Sequence, residues 1–510
     1  MLLPYLSETK SASKKYDVVF RGINYGEGTQ DGEFADTYNL STDQYPCITQ
    51  RAKRVEAGRF EAPTTIHAKG KLLVIDGTKV FYGDKEVGTV TEGKKQTATI
   101  GNYIVIFPDK KYYHVPTEEA KDGIFGDMEE KYEATGLDFS TSSITTTGNA
   151  FQFREGDAVK IEGCSINENN KEIIVREVSG QVLTFADNSF TAGVESGTVT
   201  LKRDIPDLDF ICESNYRLWG THGNTIYSSK YSDPLNFKVF DGIASDSYAI
   251  EVGSEGEFTG CIPYSSHICF FKENTLHKLY GSKPSNFQIT TVNVYGVQAG
   301  SEKSMQIVNE QLLYKGVGGV YAYTGGVPEL ISEKFGNRRY SDAVACCDGE
   351  KYYISMKQGE TWNMFTFDVM KNIWLREDDT QAVDMAFYEG KVYYIDKDGG
   401  LYYIDKTADR SDIEWGATLC TMHETINERK GYSKFHLRMD LAAGAWIAVD
   451  IKTDNDLQWR QVYLTHNEKA KTVSIPIIPT RCDSIDIRLR GKGKCTVKAF
   501  IREFTVGSDI

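Results

Sequence analysis

The side chains that could carry out chemistry in this sequence are scattered rather than grouped. The eight histidines are His67, His114, His222, His267, His277, His423, His436 and His466. The sequence contains no HExxH zinc motif, no GxSxG nucleophile turn and no Walker-type phosphate loop. Its 72 acidic residues include no pair that stands out for general acid–base catalysis. The sequence therefore predicts no catalytic residue, no metal site and no bound cofactor, and so a protein that is not an enzyme.

Two short glycine-containing motifs are similar to ligand-binding loops. GVGGVY (316–321) is the nearest sequence to a phosphate loop, but it lies between two predicted strands, where a hairpin turn needs glycine for positive φ. DKDGG (396–400) is similar to half of a calcium loop and has no acidic ligand at the required offset downstream. Both motifs are therefore predicted to be tight turns.

The cysteines and the net charge restrict the setting in which this protein folds and acts. The ten cysteines form no CxxC pair, and several alternate with apolar residues, as Cys269 does in HICFF, which predicts reduced core side chains in a reducing cytoplasm. The net charge of −14 argues against general nucleic-acid binding through counterion release. The N-terminus lacks a secretory pattern, and no stretch reaches the roughly 18 apolar residues of a membrane helix. We expect no membrane anchoring.

A strand-rich unit recurs along the chain at a spacing of roughly 33 to 45 residues. The clearest copies are GEKYYISMKQGETWNMFTFDVMKNIWLRED (349–378) and GKVYYIDKDGGLYYID (390–405). Each copy alternates aromatic or β-branched residues between turn residues, which is typical of a small antiparallel sheet. Repetition of such sheets without intervening helices predicts an all-β protein built around a β-propeller of about seven blades, within a range of about six to eight.

Aromatic residues make up 12% of the sequence, and we expect most of them to pack between blades. Trp374 is predicted to fill the space between two blades. In tyrosine doublets such as Tyr352 and Tyr353, adjacent strand residues face opposite ways, so one ring enters an inter-blade core and the other faces the neighbouring blade.

The sequence divides into four parts. These are an extended N-terminal segment that closes the propeller (1–63), the propeller (64–119 and 207–409), an inserted small β-barrel or β-sandwich (120–206) and a C-terminal β-sandwich (410–510). The insertion is predicted because the repeat spacing breaks there while clean apolar alternation continues. In the C-terminal part, SIDIRLRG places Arg488 and Arg490 on the face away from the core.

The passage GEGTQDGEFADTYNLSTDQYPCITQRAKR (26–54) resembles the opening of bacteriophage tail nozzle and packaged-DNA-stabilisation proteins. In that family an extended segment with an Asn-Leu or Asn-Met step leads to a basic, proline-containing ending just before the first blade. The matching residues are Asn39, Leu40, Pro46, Ile48, Thr49 and Arg51, with Cys47 where the family more often has glycine. The passages 228–287 and 296–326 look similar to the mid-propeller region of tail proteins from phages of Gram-positive bacteria.

The resemblance implies a structural protein of the phage tail without catalytic residues. In this family a propeller ring forms part of the tail conduit used in DNA ejection, assembled as a homo-oligomer below the portal or adaptor. The implied partners are other copies of the chain, the portal, adaptor or other tail proteins, and DNA that passes through the channel without sequence-specific binding. The implied location is the virion, after assembly in the host bacterial cytoplasm.

Two alternatives are open at the level of the sequence. One is a receptor- or glycan-binding tail-tip protein whose insertion or sandwich contacts the host, and the other is a propeller glycosidase. A conduit ring needs about five to twelve copies around an open axis, whereas a tip adhesin is usually trimeric or appended. In the ring, the basic residues Arg51, Lys53 and Arg54 are predicted to contact acidic surfaces of neighbouring subunits.

Overall fold

The computed structural model describes residues 12–118, 121–186, 188–420, 429–454, 456–469, 471–478 and 481–506. Strands form nearly all regular structure in these ranges, and the only helices there are single 3-10 turns at Asn167–Asn169, Pro284–Asn286, Glu302–Ser304 and Glu333–Phe335. The prediction of an all-β protein is confirmed. The chain forms two compact units, one of residues 60–302 and the other of residues up to Arg59 together with residues from Lys303 onward.

Six short strands come from the N-terminal segment. They are β1 (Ser13–Asp17), β2 (Gly22–Ile23), β3 (Glu33–Tyr38), β4 (Leu40–Ser41), β5 (Ile48–Gln50) and β6 (Lys53–Arg59). The first five join two large sheets together with C-terminal strands, and only β6 joins a four-stranded repeat sheet. The segment is therefore shared between two parts of its unit.

The unit of residues 60–302 begins with two four-stranded antiparallel sheets. Sheet 1 contains β7 (Pro63–Lys69), β8 (Lys71–Asp76), β9 (Lys79–Tyr82) and β10 (Lys85–Thr89), and sheet 2 contains β11 (Gln96–Ile100), β12 (Tyr103–Phe107), β13 (Lys111–His114) and β14 (Ile124–Asp127). Ile104 and Ile106 pack against sheet 1, whereas Val105 and Phe107 pack into a second cluster on the opposite face. Because successive side chains of a strand face opposite ways, the apolar run YIVIF buries both faces of sheet 2.

A closed six-stranded barrel follows sheet 2. Its strands are β15 (Glu130–Phe139), β16 (Ser143–Thr145), β17 (Ala158–Glu162), β18 (Glu172–Ser179), β19 (Val182–Phe185) and β20 (Gly193–Arg203), in the spatial order β15-β16-β19-β18-β17-β20. The predicted insertion starts at residue 120, whereas the structure has β14 completing sheet 2 and the barrel starting at Glu130. The two ends of the barrel meet, since Glu130 pairs with Arg203 in the antiparallel ladder.

Two more four-stranded sheets complete this unit. Sheet 3 contains β21 (Phe210–Ser214), β22 (Arg217–His222), β23 (Thr225–Ser228) and β24 (Tyr248–Glu251), and sheet 4 contains β25 (Phe258–Tyr264), β26 (His267–Lys272), β27 (Thr275–Tyr280) and β28 (Gln288–Asn293). Trp219 fills the space between them, with its ring centroid 6.2 Å from that of Phe270 and 5.2 Å from that of Phe287. The first strands β7, β11, β21 and β25 are neighbours in chain order, an arrangement typical of propeller blades.

The other unit contains three four-stranded sheets of the same kind. Sheet 5 has β29 (Gln306–Val308), β30 (Gln311–Gly316), β31 (Gly319–Tyr323) and β32 (Glu329–Leu330), sheet 6 has β33 (Ser341–Cys347), β34 (Lys351–Gln358), β35 (Thr361–Asp368) and β36 (Ile373–Asp378), and sheet 7 has β37 (Ala382–Tyr388), β38 (Lys391–Asp396), β39 (Gly400–Asp405) and β6. Here too the first strands β29, β33 and β37 are neighbours.

Aromatic side chains join these three sheets as the sequence predicts. Trp374 is buried between sheets 5 and 6, where its Nε1 donates to the carbonyl oxygen of Ile331 over 2.8 Å. Tyr352 enters the same cluster, whereas Tyr353 enters the cluster between sheets 6 and 7. Both predictions are confirmed.

Both glycine motifs form turns. DKDGG joins β38 to β39, and the Asp396 carboxylate accepts from the backbone N–H of Gly400 over 2.8 Å. GVGGVY joins β30 to β31, but neither Gly318 nor Gly319 has a positive φ. Close approach explains the glycine instead, because a Cβ at Gly319 would lie 2.4 Å from Ser332 Oγ. The predicted turns are confirmed, and the φ argument for GVGGVY is wrong.

A two-sheet β-sandwich completes the unit that contains sheets 5, 6 and 7. Its C-terminal strands are β40 (Glu414–Leu419), β41 (Lys430–Leu441), β42 (Trp446–Thr453), β43 (Arg460–Thr465), β44 (Thr472–Pro476), β45 (Arg481–Cys482), β46 (Ile485–Lys492) and β47 (Cys495–Val506). One sheet has the order β4-β5-β47-β41-β44, with β1 on β47 and β45 on β41, and the other has the order β2-β3-β40-β46-β42-β43. Arg488 and Arg490 lie on the outer face of β46, as predicted, and both donate to Asp450.

Candidate interaction surfaces

The residues that carry the resemblance lie around one hydrogen-bonded pair, Asn39 and Arg51. Arg51 donates from Nε to Asn39 Oδ1 over 2.6 Å and from its backbone N–H to the Asn39 carbonyl oxygen over 3.0 Å. Asn39 in turn donates from Nδ2 to the Glu414 carbonyl oxygen and from its backbone N–H to the Glu377 carbonyl oxygen, each over 2.8 Å. It thereby connects the sandwich to sheet 6. Asparagine suits this position because its φ of 54° lies in the left-handed region.

A buried charge cluster surrounds this pair. Arg54 contacts the carboxylates of Glu377 and Asp378, each at 2.7 Å, and Arg51 lies 3.8 Å from both. Burial lowers the pKa of Arg54, but the two carboxylates and Tyr394 outweigh it and raise that pKa above its ordinary value. We call Asn39, Arg51, Arg54, Glu377 and Asp378 the N-terminal clasp.

The N-terminal clasp corrects one expectation from the sequence. Arg51 and Arg54 have side chains only 14% and 9% exposed, and their acidic partners belong to the same chain. Lys53 is also paired within the chain, with Asp412 at 2.9 Å. The prediction that this basic run contacts neighbouring subunits is wrong for the two arginines, because both are buried and paired with carboxylates of their own chain.

The barrel is fixed to the rest of its unit through the buried Asp157, just before β17. Arg203 at the end of β20 donates from Nη1 to one Asp157 oxygen, and Asn236 donates from Nδ2 to the other over 3.0 Å. Arg203 also donates to the carbonyl oxygen of Met128, between β14 and β15, over 3.0 Å. A buried carboxylate with several charge-assisted bonds holds its partners in one geometry. We expect the barrel and the adjoining sheets to behave as one body.

A long connection between β23 and β24, the 229–247 loop, is organised by the buried guanidinium of Arg217. Arg217 donates to the carbonyl oxygens of Ser229, Ala244 and Asp246 at 2.8, 2.7 and 2.5 Å. The Asp246 carboxylate accepts from the backbone N–H of Gly242 over 2.6 Å. The loop backbone is therefore fixed although it has almost no regular structure. Nothing in the local sequence marks Arg217, since a lone arginine in a strand carries no local signal.

This loop carries both buried and exposed apolar side chains. Leu235, Phe237 and Val239 are buried, and the first two pack into the cluster of sheets 2 and 3. Phe240 and Ile243 are instead 61% and 55% exposed. Exposed apolar groups on a fixed backbone are typical of protein contact sites.

A groove of about 500 Å³ runs between the barrel strand β18 and this loop. Phe240 lines it together with two cations and two carboxylates, which are Arg176, Lys238, Glu172 and Asp241. Lys238 lies 3.7 Å from Glu172 and so connects the two walls. We call this the barrel groove. Its balanced charge and its aromatic side chain fit a protein surface better than a nucleic acid.

A smaller cavity of about 170 Å³ lies between sheets 3 and 4. Its lining is mostly polar and includes Asn215, Arg217, Ser266 and His267. Beside it, Tyr216 has a φ of 57°, a conformation that a bulky side chain rarely adopts, and its ring is 60% exposed.

Two of the histidines and most of the cysteines are engaged in packing. His277 contacts the hydroxyls of Ser254 and Thr291, and His67 contacts those of Thr97 and Thr99. Burial lowers the pKa of both imidazoles to about 4. All ten cysteines are thiols, and eight of them are buried. His423 lies outside the described residues. Within the part of the chain that the structure describes, no group of three His, Cys, Asp or Glu side chains could hold a metal ion.

Comparison with known proteins gives no family. No protein-family model and no curated protein sequence matches this chain. Among solved structures, BamB from Moraxella catarrhalis is similar at 9% identity and a TM-score of 0.35, covering 71% of this chain and 98% of BamB. The exo-β-1,3-galactanase of Phanerochaete chrysosporium is similar at 8% identity and a TM-score of 0.22, covering 56% and 92%. No helix in the described ranges is long and apolar enough to cross a membrane.

Proposed function

We propose that this protein is a structural component of a bacteriophage tail, a nozzle- or hub-like ring protein that forms part of the DNA conduit. In this proposal the seven four-stranded sheets are the blades of one propeller, to which the barrel and the sandwich are attached. The protein assembles in the host cytoplasm, resides in the virion and catalyses no reaction.

One observation carries the proposal: the residues that resemble the tail nozzle family act together in the structure. Asn39 and Arg51 form the centre of the N-terminal clasp, and Leu40 and Ile48 are buried in the sandwich core. Their convergence on one junction supports a shared architecture.

The barrel groove supports assembly with a second copy of the chain. It holds two cations, two carboxylates and an exposed aromatic ring, so a neighbouring subunit can complement it by both charge and apolar contact. Because the barrel is fixed through Asp157, docking there would cost little conformational entropy. In a ring each copy would contribute this groove to one neighbour.

The test is the symmetry of the purified protein in electron-microscopy class averages. We expect a closed ring of about five to twelve copies around an open axis. Phe240→Asp places a charge in the barrel groove and should yield single subunits. Met370→Asp, which changes a side chain that is 73% exposed in the other unit, is the matched control and should leave the ring intact. A monomer or a trimer of the unaltered protein would contradict the proposal.

A glycan- or receptor-binding role is the second candidate, favoured by the cavity between sheets 3 and 4. Serine and asparagine side chains next to an exposed tyrosine are suited to hydrogen bonding and stacking against a sugar. A glycan array of the purified protein tests it. Binding that Tyr216→Ser abolishes, combined with a trimeric protein, would favour this role over the conduit.

A further inference from the structure

The GVGGVY turn forms one wall of a cavity that the proposed function does not use. The cavity measures about 140 Å³ and is lined by the turn residues, by Lys315, Arg338 and Arg339, and by one carboxylate, that of Glu333. Three positively charged side chains and one negatively charged side chain therefore line it, in a chain whose net charge is −14. A local excess of cations on an acidic protein marks a place suited to an anion.

Lys315 is the deepest of these cations. It is 1% exposed, and its Nζ donates to the Gly316 carbonyl oxygen over 2.5 Å. Burial and the nearby charge of Arg339 lower the pKa of Lys315 to about 8. An anion in the cavity would oppose both effects, because a negative charge close to Lys315 favours its protonated form.

The two arginines leave donor capacity at the mouth of the cavity. Arg339 donates to the carbonyl oxygens of Gly336 and Arg338 across long distances of 3.4 Å each. The Arg338 guanidinium lies over the ring of Tyr25, 3.4 Å from its centroid. Planar guanidinium groups can bind a tetrahedral oxyanion through paired N–H donors.

A buried hydroxyl on the cavity wall points to the same ligand. Tyr340 is 5% exposed and its phenol contacts the Arg338 guanidinium, but no carbonyl or carboxylate oxygen of the described residues accepts its O–H. Burial raises the pKa of this phenol, so it stays a neutral donor. Buried donors normally have an acceptor, and an oxygen of a bound anion would be one.

Packing of the GVGGVY turn against Ser332 completes this wall of the cavity. Ser332 Oγ accepts from the backbone N–H of Val320 over 2.8 Å, and the contact requires glycine at position 319, where a Cβ would lie 2.4 Å from that same oxygen. The glycine-rich sequence therefore brings the strand end bearing Lys315 against the segment that leads to Arg338 and Arg339.

We propose that this cavity binds a tetrahedral oxyanion of the phosphate class, held by Lys315, Arg338, Arg339 and the hydroxyl of Tyr340. Two sources share this chemistry, free inorganic phosphate and the phosphodiester of a nucleic acid. The chain lacks the overall positive charge for general nucleic-acid binding, so a single bound phosphate group is the unit of recognition.

Calorimetric titration of the full chain with inorganic phosphate tests the proposal, with sodium chloride of equal ionic strength as the reference. We expect saturable binding that Lys315→Met weakens by about tenfold or more, because it removes a charge-assisted bond. Arg339→Gln changes an exposed side chain, and Tyr340→Phe removes only the hydroxyl. Both should weaken binding while the protein stays folded.

Lys272→Met is the matched control. Lys272 is also 1% exposed with a lowered pKa, but it lies in sheet 4, where its Nζ donates to Asn224 Oδ1 and the Ser254 carbonyl oxygen. Its replacement should leave phosphate affinity unchanged.

Competition with a single-stranded oligonucleotide distinguishes the two sources of the phosphate group. An oligonucleotide that competes with phosphate, and that binds more weakly to Arg339→Gln, would identify the phosphodiester as the source. Lack of competition would identify the free anion. Heat signals equal to those of chloride, or Arg339→Gln and Tyr340→Phe variants that bind like the unaltered protein, would overturn the proposal.

Discussion

Arg51 donates from Nε to Asn39 Oδ1 over 2.6 Å, and this hydrogen bond holds the chain segment that leads from the sandwich into β6. This segment leaves the sandwich after β5 and continues as β6, the fourth strand of sheet 7. Arg54 then contacts Glu377 and Asp378 of sheet 6. One short segment thus connects three sheets, and the N-terminal clasp is where their contacts meet.

Asn39→Ala should lower the free energy of unfolding by about 2–4 kcal/mol, since it removes the bonds to Arg51 and Glu414 and strains a left-handed residue. Asn39→Gly removes the same bonds but adopts the positive φ freely, and its cost should be smaller by about 1 kcal/mol. Urea unfolding followed by tryptophan fluorescence measures both. Equal midpoints for the two variants would contradict the role given to the backbone conformation.

Trp374→Ala should cost about 3–5 kcal/mol as a large-to-small change in a packed core. Its ring stacks on Phe367 with centroids 4.5 Å apart, and its Nε1 bonds to Ile331 across the sheet interface. Trp374→Phe keeps most of the packing and should cost less. Trp362→Ala, at a partly exposed position of the same sheet, is the control and should shift the thermal midpoint little. A similar shift for Trp362→Ala and Trp374→Ala would refute the inter-sheet role.

Local patterns predicted the parts of the fold that depend on alternation. The doublet Tyr352 and Tyr353 serves two cores because strand residues face opposite ways, a rule that needs no knowledge of the partner strands. The SIDIRLRG alternation placed Arg488 and Arg490 correctly for the same reason.

The features that the sequence did not predict depend on contacts between residues far apart in the chain. The clasp residues Arg51 and Arg54 find their carboxylates more than 300 positions away, at Glu377 and Asp378, and no local pattern encodes that pairing. Lys315 and Arg339 likewise share a cavity only because the hairpin folds against the next segment. The GVGGVY motif predicted a turn, while its role as a cavity wall depends on contacts that only the fold creates.

Acid should destabilise the protein partly through His277. Burial and the charge of Lys272 lower the pKa of His277 from its ordinary 6.5 to about 4. The unfolded chain binds a proton at His277 at a higher pH than the folded chain does. The free energy of unfolding is therefore unaffected by this group above about pH 6.5 and decreases as the pH falls towards 4. This decrease amounts to about 3 kcal/mol at most.

His277→Gln keeps a polar side chain between Ser254 and Thr291 and cannot take up this proton. Urea midpoints measured from pH 7.5 to 4.5 should therefore fall less steeply for the variant than for the unaltered protein. Parallel curves would show that the imidazole does not stay neutral in the folded state.

Removal of the barrel separates assembly from folding. Residues 130–203 can be replaced by a short Gly/Ser bridge, because Glu130 and Arg203 are paired neighbours in the ladder and the host ends are close together. The four sheets of the unit have their own buried clusters, so we expect a soluble protein with a slightly lower thermal midpoint. The barrel supplies Glu172 and Arg176 to the barrel groove, so the ring should be lost in class averages, as in Phe240→Asp. A deletion variant that still forms rings would show that the barrel is not an assembly element, and host binding would then be its better account.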